Sequence, residues 1–287
     1  TDRSGGYMST TIVCCNTRKY HGLMVAPVES IDPEKNFVLL SSLDETVIQR
    51  DQSFNLAIHR FPGTYEPRGH KYITDFSYTP TPAITYRVGG VVLKKELLWI
   101  HSRTRLMIRY TLMEATSPTK LRLRPFLAFR DSHSLSQANM FADGRAWPVN
   151  DGVKCCLYEE FPWLYMQMNK RNEFVAAPDW YYKFEYLEEK ERGYPFQEDL
   201  LTPGYFAVDI EKGESVIFSC SLNEEHATAI LTLDNELSKR SDKSDFLSCL
   251  RHSARQSVVS RGDRTEVVAG NPWLGRWGRD PCLAPPG

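Results

Sequence analysis

Two tryptophans, an arginine and an aspartate lie within eight residues near the C-terminal end of the sequence, as Trp273, Trp277, Arg279 and Asp280. Tryptophan rings offer flat apolar surfaces, an arginine guanidinium offers a planar set of donors, and an aspartate offers acceptor oxygens. Together these groups complement the apolar face and the hydroxyls of a sugar ring. The segment therefore predicts a carbohydrate site in which all four side chains contact the substrate.

A basic and aromatic group lies near the other end of the chain, where Arg18, Tyr20 and His21 occupy a predicted loop between two short apolar runs. Such side chains suit contacts with a sugar or with a neighbouring domain. A plain polar connection between two strands explains the same pattern. Both interpretations stay open, and the three residues are candidates for a substrate rim or an interdomain contact.

Arg130, Asp131 and His133 form a third group directly after an amphipathic strand. These residue types could form a proton relay, or they could anchor a loop through hydrogen bonds. The sequence contains no nucleophile motif such as G-x-S-x-G. We therefore favour a structural role or a contact at the substrate rim over chemistry.

Asp44 and Glu45 are adjacent carboxylates, which raises the question of glycosidase chemistry. Glycosidases use two carboxyl groups on opposite sides of the scissile bond, about 5 to 9.5 Å apart. Neighbouring residues of a strand point to opposite faces of a sheet, so these two make a poor catalytic pair. We expect both in a surface turn, and we predict no catalytic residue in this chain.

Composition and motifs argue against several other functions. The net charge of -1 gives no electrostatic basis for binding nucleic acid or an anionic membrane, and the apolar runs are too short to span a bilayer. Phosphate-loop, dinucleotide and metal-ligand spacings are missing from the sequence, so no cofactor and no metal are predicted. Seven cysteines without C-x-x-C spacing suggest reduced thiols, and hence a cytoplasmic location.

The elements that must hold these residues are mostly short strands. Residues 1–222 show repeated period-2 patterns, and the run from Ile84 to Lys95 predicts a hairpin with Gly89 and Gly90 in a two-residue turn. Repeated hairpins without interleaved helices favour an antiparallel fold. We predict a mainly β protein, with two large sheets packed face to face in a supersandwich-like β-sandwich.

Strand alternation also predicts Trp180, Tyr182, Phe184 and Tyr186 on one side of a strand. Beyond residue 222 the pattern changes, and apolar residues from Phe246 onward recur at helical spacing. We predict that residues 223–268 form a helical linker.

Six motifs in this order carry a family resemblance: Gly5–Tyr7, Asn16–Leu23, Leu43–Glu45, Leu123–His133, Pro203–Phe206 and Pro272–Asp280. Together they resemble the N-terminal half of bacterial and archaeal glycogen debranching enzymes of the amylo-α-1,6-glucosidase type. The resemblance covers essentially the whole chain.

The resemblance implies an N-terminal β-sandwich, a helical linker and an (α/α)6 barrel that hydrolyses α-1,6 branch linkages of glycogen. Residues 269–287 are then expected to begin that barrel, with Trp277, Arg279 and Asp280 beside the scissile bond and the catalytic carboxylates beyond residue 287. After Asp280 the sequence departs from the family, because Pro281 and the later proline pair oppose the expected barrel helix.

Three hypotheses follow for this chain. The leading one is a non-catalytic sandwich that packs on the barrel, shapes the access of glycogen or another branched α-glucan, and lacks turnover alone. The second is an independent glucan-binding module that uses exposed aromatic rings such as Trp147, Trp163, Trp180 or Tyr181. The third is a purely structural domain that supports folding or forms a homodimer.

Overall fold

The computed structural model describes residues 1, 3–100, 103–225, 232–238, 240, 245–261, 264–270 and 274–276. The strands, in chain order, are β1 (Tyr7–Ser9), β2 (Gly22–Val28), β3 (Asp32–Gln49), β4 (Gln52–Asn55), β5 (Ile58–Phe61), β6 (Thr64–Arg68), β7 (Ile73–Ser77), β8 (Ala83–Val88), β9 (Val91–Trp99), β10 (Arg105–Glu114), β11 (Thr119–Asp131), β12 (Trp147–Val149), β13 (Gly152–Cys155), β14 (Leu164–Met168), β15 (Glu173–Glu185), β16 (Gln197–Ile210), β17 (Ser215–Ser221), β18 (Val258–Arg261), β19 (Arg264–Gly270) and β20 (Leu274–Arg276). The helices are a 3-10 turn (Gly69–Tyr72), α1 (Leu187–Glu191), α2 (Leu233–Ser238) and α3 (Phe246–Gln256).

Two large antiparallel sheets form the body of the molecule. The first has the order β1-β2-β3-β11-β16-β15, with β4 paired to β3, and the second has the order β12-β13-β14-β17-β10-β9-β8-β7. One continuous apolar cluster draws residues from both sheets. The predicted mainly β, antiparallel sandwich is therefore confirmed.

Strand alternation determines which side chains fill the space between the sheets. Strand β11 pairs with β3 on one side and with β16 on the other. Leu121 and Leu123 of β11 belong to the main core, whereas Arg122 and Arg124 line a cleft on the outer face. A smaller apolar cluster, which includes Phe126, covers part of that outer face.

The predicted glycine hairpin is present and joins β8 to β9. Gly89 and Gly90 have φ angles of 57° and 82°, a conformation that glycine adopts without the steric cost of a side chain. Val88 and Val91 face each other at the end of the ladder. The two-residue turn follows directly from the sequence pattern.

Strand β15 corrects the prediction that Trp180, Tyr182, Phe184 and Tyr186 share one side. Its pairing with β16 shifts register between Tyr181 and Phe184. Trp180 packs against the main core, Phe184 lies in the outer apolar cluster, and Tyr182 is exposed. An extra residue in a strand reverses the alternation beyond it, which explains the error.

The C-terminal part of the chain contains helices, as expected, and additional strands. Asp245 caps α3, because its carboxylate accepts from the Ser248 backbone N–H at 2.8 Å and Ser248 in turn accepts from the Asp245 backbone. Strands β18, β19 and β20 form a three-stranded sheet, part of which lies in the predicted linker. The domain boundaries stay predictions.

Within the described part of the chain, no helix is both long and apolar enough to cross a membrane.

Candidate functional site

The group of Arg18, Tyr20 and His21 meets the group of Arg130, Asp131 and His133 in the folded chain. We call this region the loop cluster, defined as residues 17–21, 130–136 and 186–189 together with Glu198. The Arg130 guanidinium donates from Nη2 to the Lys19 carbonyl oxygen at 2.8 Å, although the two residues are 111 positions apart. The cluster lies where β2, β11 and β16 of the first sheet begin or end.

A buried ion pair holds the centre of the loop cluster. Arg130 donates from Nε to Glu198 Oε1 and from Nη2 to Glu198 Oε2, the second at 3.0 Å. Burial alone would lower the pKa of Arg130, but the adjacent Glu198 carboxylate more than offsets this and raises it. The two-point contact fixes both side chains in one geometry.

Further donors surround the Glu198 carboxylate. The Ser136 backbone N–H and hydroxyl each donate to Oε1 at 3.0 Å, and the Tyr186 hydroxyl donates to Oε2. Burial, together with this carboxylate, raises the pKa of Tyr186 well above its ordinary value. Because Glu198 is fully buried and its oxygens are occupied, the carboxylate is placed for structure and not for contact with a substrate.

The surface of the loop cluster carries an aromatic pair. Tyr20 and His133 meet edge to face, with ring centroids 5.2 Å apart, and the Tyr20 hydroxyl lies 3.2 Å from His133 Nδ1. Lys19 Nζ donates to the His133 carbonyl oxygen at 2.9 Å. The His133 backbone N–H donates to Asp131 Oδ1 at 2.8 Å, so the aspartate closes a turn and does not contact the imidazole through that bond.

His21 lies beneath this surface and takes part in an internal hydrogen bond. Its Nδ1 accepts from the Thr17 backbone N–H at 3.2 Å, which requires that nitrogen to be unprotonated. Burial, reinforced by the nearby Arg18 guanidinium, lowers the pKa of His21 to about 4. The imidazole is therefore neutral near pH 7 and serves as a loop support.

Arg18 ties the loop to helix α1. Its Nη2 lies 3.2 Å from Glu188 Oε2, and the Glu188 backbone N–H donates to the Thr17 carbonyl oxygen at 3.1 Å. The Arg18 side chain is one-fifth exposed, so this ion pair sits at the boundary with solvent. Arg18, Lys19, Tyr20 and His133 thus form one cationic and aromatic surface, held from below by Arg130 and His21.

Comparison with protein families identifies the chain. The model described as glycogen debranching enzyme N terminal matches residues 1–217. The chain belongs to this family. No curated protein matches the sequence.

Three solved structures that are similar to this debranching-enzyme family member have low sequence identity to it. A bacterial glucoamylase complexed with acarbose is 9% identical, has a TM-score of 0.43, and matches 85% of this chain and 38% of its own. Heparan sulfate lyase HepC from Pedobacter heparinus and a mutant of it are each 10% identical, with TM-scores of 0.29 and 0.30, and match 54% of this chain. The chain spans 38% of the glucoamylase and 22% of each lyase chain.

In this family member, Asp44 and Glu45 do not lie in a surface turn, so that prediction was wrong. Both are buried in β3. Their side chains point to opposite faces of the sheet, and other protein groups cover both faces. Asp44 Oδ1 lies 2.7 Å from His59 Nε2 on the outer face, and Glu45 Oε1 lies 2.7 Å from Lys95 Nζ between the sheets. The expectation that they point in opposite directions was correct.

The predicted sugar-binding residues Trp273, Trp277, Arg279 and Asp280 lie outside the described residues, and their role stays a prediction. Sequence reasoning missed Ser136, Tyr186 and Glu198 as members of the loop cluster. A buried arginine needs a buried acceptor, so Arg130 at the end of an apolar strand was a signal for such a partner. The choice of Glu198 depends on the pairing of β11 with β16, which the local pattern does not specify.

Proposed function

We propose that the chain is the non-catalytic β-sandwich of a glycogen debranching enzyme that acts in cytoplasmic glycogen breakdown. The sandwich packs on an (α/α)6 catalytic domain of the same enzyme and shapes the access of a branched α-glucan. That domain hydrolyses α-1,6-glucosidic linkages with two carboxyl groups. One protonates the leaving oxygen, and the other activates water or attacks the sugar. Family membership supports this assignment.

The observation that carries the packing role is the apolar side of helix α3. Phe246 is 83% exposed, and Leu247 and Leu250 are about half exposed. These positions share one side of the helix. Burying one such side chain stabilises an interface by about 1.5–3 kcal/mol, so this surface favours association with another domain.

The loop cluster supports the non-catalytic part of the proposal. Its buried carboxylate, Glu198, is enclosed by donors, and its buried histidine, His21, accepts an internal hydrogen bond. Neither group can present a proton to a glycosidic oxygen without breaking the loop structure. The partly exposed Tyr20 and the exposed His133 are suited to contact with a substrate or with the neighbouring domain.

Glucose release from branched limit dextrin tests the division of roles. We expect no release from the 287-residue chain alone, and faster release when the chain is mixed with a purified (α/α)6 amylo-α-1,6-glucosidase domain. Turnover by the chain alone would contradict the non-catalytic role. No effect of mixing, with no association in sedimentation, would contradict the packing role.

Matched variants locate the packing surface. Leu247→Gln combined with Leu250→Gln removes apolar area from the exposed side of α3, so we expect weaker association with the catalytic domain. Arg255→Gln changes an exposed residue on the opposite side of the same helix and should leave association unchanged. Equal effects of the two changes would show that α3 does not provide the interface.

A second candidate function is independent glucan binding, as the exposed Trp147 and Trp163 rings suggest. Each ring already has a cation over it, since the Arg145 guanidinium lies 5.3 Å from Trp147 and Lys154 Nζ lies 4.7 Å from Trp163. Retardation in a native gel that contains glycogen tests this function, and unchanged mobility would reject it.

The homodimer also stays a prediction, which sedimentation of the chain alone can check.

A further inference from the structure

A cleft on the outer face of the first sheet has the composition of a sugar site. We call it the outer cleft, defined by Asp44, His59, Glu66, Arg122, Arg124 and Tyr181, and it encloses about 360 Å³. Strands β3 and β11 form its floor, and the β5–β6 hairpin and β15 form its walls. This volume is within the range of small-ligand pockets, about 300–1,000 Å³.

The two arginines on the floor are held by aromatic rings. The Arg122 guanidinium lies 4.5 Å from the centre of the Tyr205 ring, and the Arg124 guanidinium lies 5.7 Å from the same ring. Arg124 also donates a hydrogen bond to the Tyr181 hydroxyl. Aromatic contact orients a guanidinium while leaving other N–H groups available to a ligand.

These guanidiniums retain donors for a ligand. Among the described residues, neither Arg122 nor Arg124 has a carboxylate oxygen within 4.0 Å, although Asp44 faces Arg124 across the strand pair. The Nε of Arg122 is buried and, within the same part of the chain, has no hydrogen-bond acceptor. A buried donor without an acceptor costs free energy, which a bound hydroxyl would recover.

Acceptor groups stand opposite the arginines. Asp44 Oδ1 pairs with His59 Nε2 at 2.7 Å, and the His59 ring is enclosed by aromatic rings, including Phe126 at a centroid distance of 5.7 Å. This packing makes the Asp44 carboxylate rigid, and among the described residues no hydrogen bond to its second oxygen competes with a ligand. Glu66 adds an exposed carboxylate on the hairpin wall.

The charges favour a neutral ligand. Two guanidiniums and two carboxylates line one small space, so a phosphate or carboxylate ligand would be repelled by Asp44 and Glu66 while being attracted by the arginines. A sugar hydroxyl both donates and accepts, and therefore uses both kinds of group. The Tyr181 ring adds an apolar surface of the type that packs on the C–H face of a pyranose.

We propose that the outer cleft binds a neutral glucan through Arg122, Arg124, Asp44 and Tyr181, as a secondary site separate from the predicted Trp273–Asp280 motif. The inference rests on the proposed debranching function for the choice of a glucose polymer as ligand. The site would hold one end or branch of the glucan on the sandwich while the catalytic domain hydrolyses a linkage in another part of the same glucan. It differs from the Trp147 and Trp163 surface, which belongs to the second sheet or its connections.

Titration calorimetry with maltotetraose, and with inorganic phosphate as an anionic probe, tests the outer cleft. We expect maltotetraose to bind and phosphate not to compete. Arg122→Ala and Tyr181→Ala should each weaken maltotetraose binding by about tenfold or more, because each removes a direct contact. Arg87→Ala changes an exposed arginine on β8 of the second sheet, which does not line the cleft, and should leave binding unchanged.

Backbone NMR of the unaltered chain keeps the test independent of variant folding. Maltotetraose should shift the amide signals of Asp44, Arg122 and Tyr181. No binding, shifts confined to the Trp147 region, or stronger binding of phosphate would overturn the inference. These outcomes are separate from the mixed assay. Stimulation of the catalytic domain without maltotetraose binding rejects only the outer cleft. Maltotetraose binding with neither stimulation nor association in sedimentation rejects only the packing role.

Discussion

Glu45 and Lys95 form an ion pair in the space between the two sheets, with 2.7 Å between Oε1 and Nζ. Glu45 comes from β3 of the first sheet and Lys95 from β9 of the second, so the pair links the two layers. The Tyr110 hydroxyl donates to the same carboxylate oxygen at 2.7 Å. Burial alone would lower the pKa of Lys95, but Cys14 and Glu45 offset it and raise the pKa above its ordinary value.

Glu45→Gln should lower the free energy of unfolding by about 3–5 kcal/mol, because it leaves the Lys95 ammonium buried without its counter-charge. Urea unfolding at pH 7 measures the change. Glu114→Gln is the matched control, since Glu114 pairs with Arg87 at the surface, and it should cost about 1 kcal/mol or less. Similar losses for the two variants would show that the inter-sheet ion pair stabilises the fold no more than the surface ion pair does.

His21 should make stability depend on pH in the acid range. Its folded-state pKa is lowered to about 4, compared with 6.5 as the ordinary value, so the unfolded chain takes up this proton first as pH falls. The contribution of the neutral imidazole is complete above about pH 6.5 and is lost as pH falls toward 4. Over that window it amounts to roughly 3 kcal/mol at most.

The variant His21→Asn isolates the contribution of His21 protonation to the pH dependence of stability. An asparagine oxygen can accept from the Thr17 backbone N–H but does not titrate. Unfolding free energies at pH 7 and pH 4.5 should therefore differ less in the variant than in the unaltered chain. An identical pH dependence for the two proteins would count against a depressed pKa for His21.

Glu198→Gln should destabilise the loop cluster, because the amide cannot neutralise the buried Arg130 guanidinium. We expect a loss of about 3 kcal/mol or more in chemical unfolding. Glu188→Gln alters the half-exposed partner of Arg18 in the same cluster and should cost about 1 kcal/mol or less. If Glu188→Gln proved the more costly change, the buried pair would not be the centre of the cluster.

Gly204→Ala should be poorly tolerated compared with Gly213→Ala. Both glycines have positive φ angles, 142° and 84°, but a Cβ at Gly204 would lie 2.1 Å from the Val175 carbonyl oxygen, whereas one at Gly213 would meet nothing within 4 Å. We expect about 1–2 kcal/mol for Gly213→Ala from backbone strain alone. Gly204→Ala should cost clearly more, measured as the shift in Tm, because it also pushes β15 away from β16.

Local patterns predicted the elements whose partners are close in sequence. The hairpin at Gly89 and Gly90 needs positive φ at two adjacent residues, and α3 repeats apolar residues at helical spacing from Phe246 onward. Both signals act over a few residues, so both were visible. The register shift in β15 was not visible, because a bulge is selected by packing on neighbouring strands.

The candidate site also has features that the sequence predicted and features that it did not. Arg18, Tyr20, His21, Arg130, Asp131 and His133 were identifiable from residue type, and the fold brings them into one cluster. The environment of each residue was not identifiable, since Glu198 is 68 positions from Arg130. The outer cleft was also missed, because its walls come from separate strands and Asp44 was expected in a turn.

The sequence by itself determined the mainly β class, the tight turn, the helical segment from Phe246 onward and the family, because periodicity, glycine conformation and ordered motifs are local properties of the chain. Only the tertiary structure decided that Glu45 meets Lys95 while its neighbour Asp44 meets His59. Those contacts depend on which strands pair and in which register. A shift of one residue in β3 would exchange the inward and outward carboxylates, and the burial of apolar partners on both sheets sets the register that is observed.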